Sequence, residues 1–169
     1  MKVLMVIAPE NFRDEEYFET KAVLEKAGIS ISTASKSIGE KRGMLGGTAV
    51  AEMSIDKIDE KGFDGIVWVG GTGSQVYFND KKAHELSKKF ASKGKVVAAI
   101  CIAPVILANA GLLNGKKATC WNGQFKERLK VAGAIWQGSD VVRDGKIVTA
   151  NGPHAAKKFG EEVVKALKT

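Results

Sequence analysis

Five short segments of this chain are rich in apolar residues, four of them at nearly every position, and amphipathic segments separate them. The apolar runs cover residues 3–8, 29–34, 65–69, 95–100 and 147–150. A strand with one solvated face alternates apolar and polar residues, whereas a strand covered on both faces stays apolar along its length. The alternation of such runs with helical segments therefore predicts an α/β fold, with a mostly parallel sheet between two layers of helices.

Helix and turn signals fill the intervals between these runs. We expect helices over residues 14–27, 80–93, 104–110, 124–131 and 153–167, and a glycine, which commonly closes a helix, follows each of the first four within two residues. Residues 141–148 predict one small antiparallel hairpin around an Asp144-Gly145 turn. Four glycines between residues 39 and 47 predict a mobile loop there.

The length and the cysteine content limit the class of protein. A chain of 169 residues suits one domain, so residues 1–169 are expected to form a single unit. Two cysteines are too few for a disulfide framework and fit a reducing cytosol. The apolar runs are shorter than the roughly 20 residues that span a bilayer, and the N-terminus lacks the small-residue cleavage pattern of a signal peptide. We therefore expect a cytoplasmic protein with no membrane partner.

The charge of +7 raises the possibility of a nucleic-acid partner. The lysines fall in scattered pairs, mostly on predicted helices with glutamates between them, which is typical of solvated helix faces. Aromatic residues, on which bases stack, make up only 7% of the chain. The pattern does not favour nucleic acid as the main partner.

Cys101 stands at the junction between an apolar strand and a helix. Ala98, Ala99 and Ala103 keep its surroundings small, and Pro104 begins the helix. This pattern suits a nucleophile elbow, a tight strand-to-helix turn that holds the nucleophile in a strained backbone conformation. The helix dipole and free N–H groups would lower the pKa of the thiol. A buried core cysteine is the alternative that this segment alone leaves open.

A glycine-rich turn is expected at the same edge of the sheet, where parallel open sheets bind ligands. Gly70, Gly71 and Gly73 let the backbone turn sharply and direct N–H groups into a pocket, as an oxyanion hole requires. The spacing does not match the phosphate-binding fingerprints. A plain glycine turn is the alternative.

Three carboxylates, Asp14, Glu15 and Glu16, follow the first strand. Acidic residues in a first helical turn usually complement the helix dipole, which accounts for Asp14 and Glu15. Glu16 could reach over the strand ends towards Cys101, hold a proton and donate a hydrogen bond to the thiolate. Burial beside a negative sulfur would raise its pKa.

Together these segments resemble the PfpI/DJ-1 superfamily, which includes intracellular protease I and the parkinsonism-associated deglycase and has the class I glutamine amidotransferase-like fold. The resemblance runs nearly end to end, as a single PfpI/DJ-like domain. The segments that match the superfamily are Lys2-Val3-Leu4, Glu16 before Gly28, Asp64-Gly65 with Gly70-Gly71, Ala99-Ile100-Cys101 with Pro104, residues 111–116, the Asp144-Gly145 hairpin and the helix after Gly152-Pro153.

The resemblance implies a flavodoxin-like three-layer α/β/α sandwich that forms homo-oligomers, either dimers or larger. It also implies a reactive Cys101 with Glu16 as its protonated partner, and an oxyanion site formed by the N–H groups of Gly71 and Ile102. Thr72 and Trp121 are expected in the same pocket.

The chain departs from the superfamily at three positions. Ile102 follows the cysteine where the protease-like branch carries a histidine, and Gln75 stands where that branch places an acid in the glycine loop. Trp121 occupies the position at which the deglycase-like branch carries a histidine. A Cys-His relay needs a base within reach of the thiol, and the adjacent position does not supply one.

The chain has two histidines and a second cysteine that could also contribute to a site. His84 lies on a polar helix face, which predicts a surface residue. His154 follows Pro153 on a loop that the resemblance places near the nucleophile, so it is a candidate catalytic base. Cys120 is expected to be a packed thiol, with a redox role beside Cys101 as the alternative. No Cys and His have the spacing of zinc ligands, so no metal is predicted.

Three functions remain open. The leading hypothesis is a glyoxalase or deglycase that needs no cofactor and acts on reactive carbonyls such as methylglyoxal, with Cys101 as nucleophile and Glu16 as proton shuttle. The runner-up is a PfpI-like intracellular peptidase in which His154 or a neighbouring subunit supplies the base. The third is a redox-sensing or chaperone-like stress protein in which Cys101 is oxidised without turnover.

Overall fold

Twelve short strands and five helices make up the chain in a computed structural model that describes residues 1–169. The strands are β1 (Lys2–Val6), β2 (Glu10–Phe12), β3 (Ser30–Ser35), β4 (Gly39–Gly43), β5 (Thr48–Ala51), β6 (Met53–Ser54), β7 (Gly65–Trp68), β8 (Val96–Ile100), β9 (Lys117–Ala118), β10 (Ile135–Trp136), β11 (Val141–Asp144) and β12 (Ile147–Ala150). The helices are α1 (Asp14–Lys26), α2 (Lys81–Ser92), α3 (Pro104–Asn109), α4 (Gln124–Val131) and α5 (Ala156–Lys168).

A seven-stranded sheet forms the centre, in the order β11-β12-β8-β7-β1-β3-β6. All its pairs are parallel except β11 with β12. Every residue of β7, β8 and β12 is buried, which explains why these segments are apolar at nearly every position. The parallel α/β architecture predicted from the sequence is confirmed.

The helices form two groups that cover the sheet. Helix α1 packs against α5, while α2 packs against α3 and α3 against α4. The first pair is close enough that a Cβ at Gly160 would lie 2.9 Å from Val23 Cβ. In the other group, the buried indole of Trp68 donates a hydrogen bond of 2.9 Å to Ser87 Oγ of α2. None of the helices combines the length and apolar character needed to cross a membrane.

Both hairpins differ in detail from the sequence-based expectation. Strands β11 and β12 form the predicted antiparallel pair, but the two loop residues are Gly145 and Lys146, one position later than an Asp144-Gly145 turn. Gly145 has φ +62°, the conformation that favours glycine in a tight hairpin. The prediction of a mobile loop over residues 39–47 is wrong, because Gly39–Gly43 pairs as β4 with β5. Only residues 44–47 form the turn between these strands.

Candidate active site

The backbone at Cys101 forms the strained elbow between β8 and α3. Cys101 has φ +66°, a left-handed conformation that costs a non-glycine residue about 1–3 kcal/mol. Two hydrogen bonds hold it there: its N–H donates to Ala150 O at 2.9 Å, and its carbonyl accepts from Trp121 N–H at 2.7 Å. The residue is 8% exposed, at the carboxyl end of the central strands. These contacts hold the backbone of Cys101 in its strained conformation.

Gly70 and Gly71, which follow β7, lie so close to neighbouring atoms that a side chain would not fit at either position. A Cβ at Gly70 would lie 2.6 Å from Cys101 Cβ, and it would also collide with the Glu16 carboxyl. Gly71 has φ +101°, and a Cβ there would lie 2.5 Å from Asn11 O. The N–H groups of Gly71 and Ile102 reach the Cys101 sulfur, where both act to lower the pKa of the thiol. These are the two donors expected at an oxyanion site.

Glu16 of α1 is completely buried beside the thiol. Its side chain comes within hydrogen-bonding reach of Cys101 and of the Gly70 backbone. Neither carboxyl oxygen has a well-formed hydrogen bond to a protein donor. Burial therefore raises the pKa of Glu16 to about 8, and contact with Cys101 and the Arg13 charge lower the pKa only in part. At neutral pH the carboxyl is mostly protonated, as the sequence predicts.

The expected low pKa of Cys101 is wrong for the resting site. Burial and then the charge of Glu16 raise the pKa of the thiol above its ordinary value, despite the N–H groups of Gly71 and Ile102. Helix α3 has only six residues, so its dipole is short. The site holds a thiol and a carboxyl that compete for one negative charge and titrate as a pair.

A cavity of about 280 Å³ opens above the sulfur. Its lining residues are Arg13, Met44, Gly71, Thr72, Gln75, Cys101, Ile102, Trp121, Phe125 and Pro153. All four residues expected in the pocket beside the catalytic pair, Gly71, Thr72, Ile102 and Trp121, are among them. Sequence reasoning missed Arg13, Met44 and Phe125, and no spacing in the sequence connects them with Cys101.

Asp14 brings Met44 to this cavity. Its carboxylate accepts hydrogen bonds of 2.8 Å from both Leu45 N–H and Gly47 N–H, in the turn between β4 and β5. A Cβ at Gly47 would lie 2.8 Å from Phe18 Cε2 of α1. The sequence predicts only an interaction with the helix dipole for Asp14, whereas in the structure it fastens one wall of the cavity to the helix that carries Glu16.

His154 lies outside the cavity lining. Its side chain is 58% exposed, and Nε2 lies 3.4 Å from Asp140 Oδ1. The structure therefore places the proposed base beside Asp140 at the surface and not in the lining of the Cys101 cavity. His84 is also outside the lining, with Nε2 2.8 Å from Phe78 O.

Cys120 is buried and does not line the cavity. Its sulfur lies 3.4 Å from Trp121 O, and burial raises the pKa of the thiol to about 12. These features match a packed thiol. No group of three or more His, Cys, Asp or Glu side chains is arranged as a metal site.

Replacing Gly70 with alanine is expected to destabilise the protein by about 1–3 kcal/mol and to slow iodoacetamide labelling of Cys101. The added methyl would collide with the Glu16 carboxyl and with Cys101 Cβ, 2.6 Å away. Urea unfolding and mass spectrometry of the Cys101 peptide measure both effects. Gly138→Ala is the matched control, because a Cβ there meets nothing within 4 Å. Equal stability and labelling in the two variants would contradict the close approach described at Gly70.

Comparisons with known proteins agree on one family. The model of the DJ-1/PfpI family matches residues 1–166. The uncharacterized protein MJ0967 of Methanocaldococcus jannaschii is 49% identical over 98% of this chain and 82% of its own length. Deglycase PH1704 of Pyrococcus horikoshii is 34% identical over 99% of this chain and 100% of its own. "Putative cysteine protease YraA" of Bacillus subtilis is 30% identical over 99% of both chains. The crystal structure of a ThiJ/PfpI domain protein from Brachyspira murdochii superimposes with a TM-score of 0.96 at 36% identity, over 99% of this chain and 96% of that one.

Proposed function

The chain belongs to the DJ-1/PfpI family, and we propose that it is a cysteine-dependent enzyme of the glyoxalase or deglycase kind that converts α-oxoaldehydes into hydroxy acids. One observation carries the proposal: the Cys101 thiol has a fully buried carboxyl, Glu16, beside it, and no histidine lines the cavity above the two. A carboxyl whose pKa is about 8 can both give and take a proton near neutral pH. Isomerisation of an α-oxoaldehyde needs such a group.

The first step forms a bond between Cys101 and the aldehyde carbon. The sulfur adds to C1 of methylglyoxal while the thiol proton passes to Glu16 and the Glu16 proton passes to the aldehyde oxygen, which gives a neutral hemithioacetal. Because the carboxyl gives one proton and gains another, this step does not require a free thiolate. The N–H groups of Gly71 and Ile102 stabilise negative charge that develops beside the sulfur.

The next steps exchange oxidation level between the two carbons. One oxygen of Glu16 takes the proton from C1 while the carboxyl's own proton passes to the ketone oxygen, which gives a neutral enediol. The carboxyl then gives a proton to C2 and takes the proton of the C1 hydroxyl, which leaves a lactoyl thioester on Cys101. The aldehyde carbon is oxidised and the ketone carbon is reduced within one molecule, so no external oxidant is used. Water then cleaves the thioester to lactate and restores the thiol.

The other two candidate functions have less support. Peptide hydrolysis needs a base within hydrogen-bonding reach of the thiol, and His154 pairs instead with Asp140. Oxidation sensing favours an accessible thiol of low pKa, whereas Cys101 is 8% exposed and its pKa is raised.

The proposed function predicts lactate formation from methylglyoxal by the purified protein in buffer without glutathione. Proton NMR of the product distinguishes lactate from the hydrated aldehyde, and a protein-free sample gives the background. Omitting glutathione excludes contaminating enzymes that require it. Lactate no higher than the background would contradict the proposal.

A further inference from the structure

The cavity above Cys101 is larger and more apolar than methylglyoxal requires. At about 30 Å³ for each water-sized group, the five non-hydrogen atoms of methylglyoxal fill at most about half of its 280 Å³. Resting on the proposed function, we propose that the enzyme prefers α-oxoaldehydes whose ketone carbon carries an aryl or bulky alkyl group. Trp121 and Phe125 are the side chains that determine this specificity.

Trp121 is fastened to the elbow, and it remains partly exposed at the cavity. The backbone N–H of Trp121 donates to Cys101 O at 2.7 Å, which fixes this backbone to the elbow. The indole lies over Gly152, where a Cβ would be 2.9 Å from two ring carbons, Cε3 and Cζ3. The residue is nevertheless 46% exposed and lines the cavity. A flat, immobilised aromatic surface that remains open next to a nucleophile suits a flat apolar substituent.

Phe125 is the second aromatic wall, and its surroundings also hold it in place. Its ring packs edge-on against Phe78, with 6.0 Å between the centroids. The Arg128 guanidinium lies 5.8 Å from the Phe125 centroid and 5.5 Å from that of Phe78. Such a wall needs little reorganisation when a ligand binds.

The polar and apolar parts of the cavity give a substrate one orientation. The N–H groups of Gly71 and Ile102 are at the sulfur, so the aldehyde binds at that end. Trp121 and Phe125 line the same cavity and accommodate the substituent on the ketone carbon. Phenylglyoxal combines both features, and its product by the same chemistry is mandelate.

The test compares kcat/KM for phenylglyoxal, measured as mandelate, with kcat/KM for methylglyoxal, measured as lactate. Trp121→Ala is expected to lower this ratio by about tenfold or more relative to the unmodified protein. Each ratio is taken within one protein, so the different intrinsic reactivity of the two aldehydes cancels between proteins. Trp136→Ala is the matched control, because Trp136 does not line the cavity and its ring lies under Lys126. An unchanged ratio in Trp121→Ala would overturn the inference.

A second measurement decides the same question without turnover. Phenacyl bromide and iodoacetamide both alkylate the Cys101 sulfur with loss of halide and of the thiol proton, and mass spectrometry gives the two rates. Trp121→Ala is expected to slow phenacyl alkylation several-fold more than carbamidomethylation; equal slowing would overturn the inference. If neither hydroxy acid forms, the proposed function fails, while the alkylation ratio still tests the specificity of the cavity.

Discussion

Replacing Cys101 with serine is expected to lower lactate formation from methylglyoxal by about 10⁴-fold or more. The hydroxyl fits the elbow at φ +66° but is a far weaker nucleophile than sulfur. Glu16, mostly protonated at neutral pH, has little capacity to activate it. Initial rates of lactate formation at equal protein concentration give the loss, and urea unfolding checks that the variant is folded.

Cys120→Ser is the matched control for this substitution. Cys120 is also buried but lies outside the cavity lining, so the control is expected to keep most of the activity. Two outcomes would contradict the role of Cys101: a serine variant that keeps a tenth of the activity, or equal losses at the two positions.

Glu16→Gln is expected to lower turnover by about 10²–10⁴-fold while making the protein more stable at pH 8. The amide keeps the shape of the carboxyl but cannot carry protons between C1 and C2. A residue needed only for packing would lose stability and activity together. Opposite changes in the two quantities therefore separate a proton shuttle from a structural role.

The stability change has a definite dependence on pH. Between the ordinary pKa of 4.5 and about 8, folded Glu16 holds a proton that the unfolded chain has lost. Rising pH across this window therefore lowers the free energy of unfolding, by roughly 3 kcal/mol at pH 7, and the loss levels off above pH 8. The glutamine variant lacks this loss, although its extra N–H group needs a partner. Roughly 3–4 kcal/mol of this loss falls between pH 5 and pH 8. We therefore expect the variant to be about 1–3 kcal/mol more stable than the unmodified protein at pH 8 and about 1–2 kcal/mol less stable at pH 5.

Urea unfolding of both proteins at pH 5 and pH 8 measures this difference. A stability gap that is the same at the two pH values would show that Glu16 does not take up a proton on folding. A gain in stability confined to pH 8, together with lost turnover, is the expected combination.

The sheet and the elbow could be predicted because they depend on local patterns. Apolar runs such as residues 96–100 are buried on both faces, and this burial is visible in the sequence itself. The small residues before Cys101 and Pro104 after it predicted the strand-to-helix turn, which the positive φ confirms. Glu16 reached the same edge of the sheet because α1 follows β1 closely in the chain.

Other features could not be predicted because they depend on distant contacts. Met44 lines the cavity because distant residues hold the β4–β5 turn: Asp14, thirty positions earlier, accepts from Leu45 N–H and Gly47 N–H, and Phe12 O accepts from Met44 N–H. The glycines of residues 39–47 predict a mobile loop, whereas Gly39 and Gly43 lie in β4, which pairs with β5. The position of Cys101 at a helix start suggested a low pKa, but burial beside Glu16 outweighs the two N–H donors.

The most direct test of the Cys101 and Glu16 pair is a ¹³C NMR titration of the Glu16 carboxyl carbon, identified by its absence in Glu16→Gln. A buried carboxyl that shuttles protons should titrate near pH 8 and be mostly protonated at pH 7. The midpoint of the Glu16 titration should be different in the Cys101→Ser protein, since Cys101 contacts the carboxyl. A Glu16 carboxyl that titrates near its ordinary value of 4.5, and is therefore ionised throughout the neutral range, would contradict the proposed chemistry.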